Sequence, residues 1–72
     1  MMLTDLERAV LDVEARPWRH GAAKERHATE SLGLSPWRYA ITLNALLDKP
    51  AAVAHAPVLV NRLRRLRSVR MG

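Results

Sequence analysis

Apolar side chains recur along this chain at the three- and four-residue steps of an α-helix, and no stretch shows the strict alternation of a strand. Leu3, Leu6, Ala9, Val10 and Val13 make the first stripe. Thr4-Asp5-Leu6-Glu7 opens it with the spacing of a capping box, and Asp5 and Glu7 suit the positive end of the helix dipole. Pro17 ends that helix at or before Arg16. A second helix spans Ala22 to Leu32, with Ala23, His27 or Ala28, and Leu32 facing inward; Gly33 is placed to close it in the left-handed conformation. Ser35 caps a third helix and Pro36 suits its first position. That helix runs to about Asp48, buries Tyr39, Leu43, Leu46 and Leu47, and stops at Lys49-Pro50. Residues 51–57 are ambiguous, with enough Ala for a short helical turn. A last helix from Pro57 or Val58 to about Val69 carries Leu59, Leu63 and Leu66 on one face. The pattern predicts a single all-α domain over residues 1–72, with four helices and a possible fifth.

The second and third helices, over residues 22–48, have the makings of a helix-turn-helix. Gly33 supplies the turn, Leu32 and Leu34 flank it with apolar side chains, and Ser35-Pro36 restarts the chain promptly. Ala28 is small enough for close helix approach. Thr29 and Tyr39 depart from the motif, which usually has a small residue at the first position and a β-branched aliphatic at the second. The plainer alternative is an antiparallel helix pair with a glycine corner. At about 100° per residue, Trp37, Arg38, Ile41, Asn44, Ala45 and Asp48 share the outward arc of the third helix. Arg38 and Asn44 are the side-chain types that read guanine and adenine in a major groove. Trp37 and Ile41 argue otherwise, and the first expectation for them is core beneath the C-terminal helix. A docked protein partner comes second and base reading by this helix third. Asn44 has the bland alternative of bridging within the fold. Trp18 is expected in the core where the first helix turns into the second.

Charge sharpens the picture. Residues 1–50 hold seven basic and seven acidic side chains, which cancel. Residues 51–72 hold Arg62, Arg64, Arg65, Arg67 and Arg70 with no acid, and so carry the whole net charge of +5. Five arginines exceed what a helix dipole calls for at its C-terminal end. Their planar forks suit phosphate, so a polyanion met at one edge is the leading partner, and nucleic acid the leading polyanion. Three to five phosphate contacts would give a log–log salt slope of roughly −3 to −5. A solvated tail and an acidic protein surface are the competitors. The apolar side of this helix lacks the Trp or Phe of a membrane anchor, so no membrane partner is expected.

Composition removes other classes. The chain has no cysteine, hence no disulfide, thiolate zinc site or Cys nucleophile. His20, His27 and His55 are scattered and lack a third ligand at metal spacing. No glycine-rich phosphate loop, catalytic triad or carboxylate pair stands out, so no enzyme activity, cofactor or small-molecule substrate is expected. No apolar run approaches the roughly 20 residues of a membrane span, and the start of the chain does not read as a signal peptide. A cytoplasmic protein, nucleoid-associated if it binds DNA, is the default.

Five stretches carry a family resemblance: Gly21-Ala22-Ala23-Lys24-Glu25, Leu32-Gly33-Leu34-Ser35, Arg38-Tyr39, Leu43-Asn44-Ala45-Leu46-Leu47-Asp48-Lys49-Pro50, and Leu59-Val60-Asn61-Arg62-Leu63-Arg64-Arg65-Leu66-Arg67. Together they resemble a family of short actinobacterial and actinophage proteins of unknown function with a helix-turn-helix-like character. The resemblance covers roughly residues 6–70. It implies a helical, DNA-binding-like fold in a cellular or phage regulatory setting, and no particular activity. Here Ala40-Ile41 follows the Arg-Tyr pair, which makes the outer face of the third helix more apolar than is common in that family.

The expectation is therefore a small non-enzymatic DNA-binding regulator, plausibly dimeric. Arg62, Arg64, Arg65, Arg67 and Arg70 would hold phosphates, with Arg38 and Asn44 near a groove. The alternative is a protein-binding module, a phage or host modulator of the transcription machinery, anchored by Trp37 and Ile41.

Overall fold

The computed structural model describes the backbone of residues 2–71 and the side chains of residues 2–67. Five helices follow one another without a strand among the described residues: α1 (Asp5–Ala15), α2 (Gly21–Leu32), α3 (Pro36–Leu46), α4 (Pro50–His55) and α5 (Pro57–Met71). The all-α expectation stands, with the fifth helix real.

The helix ends follow from single residues. The Thr4 hydroxyl accepts from the Glu7 amide at 3.1 Å, and the Thr4 amide donates to Glu7 Oε1 at 2.9 Å, completing the capping box. Glu7 also pairs with Lys49, tying the start of α1 to the turn before α4. Gly33 closes α2 at φ 71°, its amide donating to the Thr29 carbonyl at 3.1 Å. Thr29, which departs from the usual motif, has its own role there: its hydroxyl donates to the Leu34 carbonyl at 3.0 Å and braces the turn. Ser35 Oγ accepts from the Arg38 amide at 3.2 Å and caps α3.

Pro36, Pro50 and Pro57 each stand at the first position of a helix, α3, α4 and α5 respectively. A proline there forfeits an amide that no helix would have used. Pro50 accordingly opens a helix in the stretch that spacing alone leaves ambiguous. The same residue both ends α3 and starts α4.

α1 is the centre of the fold and packs against α2, α3 and α4. Val10, Leu11 and Val13 are its buried side chains. Leu11 lies outside the stripe the spacing picked out, because a helix covered on three sides needs a wider apolar arc than a single seam. Leu6, in the solvated first turn, stays 40% exposed instead of joining the core. α2 buries only Ala28; Ala23 is exposed, and Leu32 packs from the margin. Tyr39, Leu46 and Leu47 are buried as expected, with Leu43 half-buried beside them. Ala52 of α4 and Leu59 and Val60 of α5 complete the core. Trp18 packs against it from the α1–α2 connection, its indole N–H donating to the Val13 carbonyl at 2.6 Å. Leu66, expected on the inner stripe of the last helix, is 55% exposed, because the side of α5 turned to the body is the one that carries Val60, Leu63, Arg64 and Arg67, and Leu66 falls at its margin. Among the described residues no helix is long and apolar enough to cross a membrane.

Candidate functional site

α5 sorts its arginines by helical phase. Arg64 and Arg67, three apart, lie on the inner side and are half-buried. Arg64 Nε donates to the Leu47 carbonyl at 2.5 Å, satisfying a group that α3 leaves unpaired at its C-terminal end. Arg67 forks: one guanidinium nitrogen donates to Asn44 Oδ1 and the other to Asp48 Oδ1, each at 3.0 Å. The Arg67 hydrogen bond and charge, with help from Arg64, hold the Asp48 carboxyl below its ordinary range. These two arginines act as struts that fix α5 against the end of α3.

Arg62 and Arg65, also three apart, occupy the opposite side with Val58 and Asn61 and are exposed. Neither takes part in an ion pair among the described residues. The Arg70 side chain lies outside the described residues.

On α3, Arg38 is exposed in the first turn. Its backbone is fixed at both ends: the amide donates to Ser35, and the carbonyl accepts from Thr42 Oγ1 at 2.8 Å. Asn44 is exposed but engaged by Arg67, the bridging role that was its bland alternative. Trp37 and Ile41 are 74% and 47% exposed, so they are not core beneath the last helix. The reason is where α5 crosses. Its polar struts meet only the C-terminal end of α3, at Asn44, Leu47 and Asp48, and leave Trp37 and Ile41, earlier on the same arc, uncovered.

Sequence reading missed a polar node beneath this surface. Tyr39 Oη donates to Glu14 Oε1 at 2.8 Å, and Lys24 Nζ lies 2.8 Å from the same oxygen, so one carboxylate joins α1, α2 and α3. Burial, then the Glu14 hydrogen bond and charge, push the Tyr39 hydroxyl well above its ordinary value. A signal was present: Glu14 falls four residues after Val10 on the buried arc of α1, and a buried tyrosine hydroxyl usually requires a partner.

Among the described residues no three His, Asp or Glu side chains are grouped to hold a metal ion. What the surface offers is an outward cationic face on α5, Arg38 at the head of α3, and an exposed Trp37–Ile41 stripe.

Residues 2–72 match the family described as "Protein of unknown function (DUF3263)". No curated protein and no solved structure matches the chain.

Proposed function

The chain belongs to this DUF3263 family of unknown function, and from that premise we propose that it is a small, non-enzymatic DNA-binding protein of a helix-turn-helix-like kind. It works in transcription regulation in an actinobacterial or phage setting. The observation that carries the reading is the outward placement of Arg62 and Arg65 on a helix without a single acid. Two guanidinium groups one turn apart can meet successive phosphates, while Arg64 and Arg67 hold the helix at a fixed attitude. Arg38, at the N-terminal end of α3, is the residue nearest in kind to a base reader. Asn44 contributes by positioning Arg67. One module of this size contacts few base pairs, so a palindromic site would take two copies.

The test is fluorescence anisotropy with a labelled random-sequence duplex at low and at moderate salt. Binding that weakens steeply with salt supports the proposal. No binding at low salt overturns it.

A second reading has its own observation. Trp37 at 74% exposure beside Ile41 is a larger apolar surface than α3 needs for folding, and aromatic anchors of this sort dominate protein interfaces. On that reading the partner is a component of the transcription machinery. Trp37→Ala should then leave duplex binding unchanged; a loss of tenfold or more would place Trp37 against DNA instead.

A further inference from the structure

The body of the molecule is neutral in sum, but its charge is not evenly spread. The turn between α1 and α2 carries a second cationic surface. Residues 15–24 contain no acid. The acids just before them are engaged: Asp12 lies 3.5 Å from His55, and Glu14 holds Tyr39 and Lys24. Arg16 and Arg19 are exposed, and neither takes part in an ion pair among the described residues. Between them stands Trp18, fixed by its hydrogen bond to the Val13 carbonyl and packed on the His27 ring, with 5.3 Å between centroids. The Arg16 guanidinium lies over the indole, 5.9 Å from its centroid. An arginine stacked in this way is already partly ordered and keeps N–H groups at its edge for a phosphate. We propose that this corner is a second phosphate-binding surface, and that one molecule bridges two DNA duplexes, one on the outward face of α5 and one on Arg16 and Arg19. The inference rests on the DNA reading and adds a second duplex to it.

Placement and stiffness separate the two surfaces. α5 packs on α4 and α4 on α1, whereas α2 packs on α1 and α3. Arg62 and Arg65 lie on the side of α5 opposite Arg64 and Arg67, which meet the body. A duplex laid across Arg62 and Arg65 therefore has the width of α5, about 10 Å, between it and the body to which the corner belongs. To meet both surfaces, one duplex would have to bend around a molecule with extents of 30 × 27 × 20 Å. A persistence length of about 150 bp opposes that. Arg26 is not counted, because it shares the outer stripe of α2 with Glu30, four residues on. Two phosphate contacts hold a second duplex weakly by themselves, but many copies along one duplex act together.

The test mixes two random-sequence duplexes, one with a donor dye and one with an acceptor, with the intact chain at low salt. Single-duplex anisotropy is followed in parallel. Energy transfer between duplexes is expected with the native chain. Arg16→Ala with Arg19→Ala should lower the transfer about fivefold or more, because bridging needs both surfaces. Single-duplex affinity should stay within about twofold, since the α5 face is untouched. Both side chains are exposed, so the fold is not threatened, and circular dichroism checks it. A control, Arg8→Ala with Arg26→Ala, removes two charges elsewhere and should keep the transfer. The proposal is overturned by no transfer where anisotropy shows binding, by undiminished transfer in the Arg16 and Arg19 variant, or by equal loss in the control. Single-duplex affinity falling in step with the transfer overturns it too, because the corner would then lie on the same duplex. An absence of any anisotropy change at low salt is the separate result that removes the DNA reading, and the bridge falls with it.

Discussion

Tyr39 is the single tyrosine of the chain, and its hydroxyl is spent on Glu14. Because its ionisation is pushed up in the fold, the folded state keeps a proton that the unfolded state gives up in alkali. That contribution is full below the ordinary tyrosine value and is lost as pH rises past it. Tyrosinate absorbance should therefore emerge together with loss of helical circular dichroism in an alkaline titration; ionisation at the ordinary value with helicity intact would refute the buried node. Tyr39→Phe leaves Glu14 with Lys24, so its cost should stay near the low end for a bond to a charged group, about 1.5 kcal/mol in urea denaturation. Gly33 is the other decisive residue. A Cβ added there meets nothing within 4 Å, so Gly33→Ala tests the left-handed conformation alone. Its expected cost is roughly 1–2 kcal/mol, and a neutral result would remove Gly33 as the determinant of the turn.

At the scale of elements, most of the fold was legible because local signals agree. The capping box at Thr4, the glycine stop at Gly33 and the Ser35-Pro36 restart each depend on a residue and its neighbours within one turn. What could not be read depends on where helices meet. The spacing of Trp37 and Ile41 fits core and surface equally well, and only the crossing point of α5 decides between them. The same holds for the arginines. Their number is plain in the sequence, but the split into struts and outward groups follows from which side of α5 meets the end of α3. Asp48 tests that split. Asp48→Ala frees one arm of the Arg67 fork. Duplex binding should tighten and its log–log salt slope steepen by about one, since one more guanidinium becomes available to phosphate. An unchanged slope would mean that Arg67 never reaches DNA, clamped or not.

The whole molecule is a nearly neutral body carrying a cationic helix on one edge, held there by two of that helix's own charges. The DNA reading counts only the outward side chains. Arg38, Arg62 and Arg65 amount to about three phosphate contacts and a slope near −3, the shallow end of what the sequence alone suggested. The most direct measurement is the salt dependence of duplex affinity for the native chain and for Arg62→Ala with Arg65→Ala. The double variant keeps both struts, so α5 should remain in place and the slope should fall by about two. A slope that stays the same in a properly folded double variant would contradict the account, because the outward face of α5 would then not be what meets the phosphates.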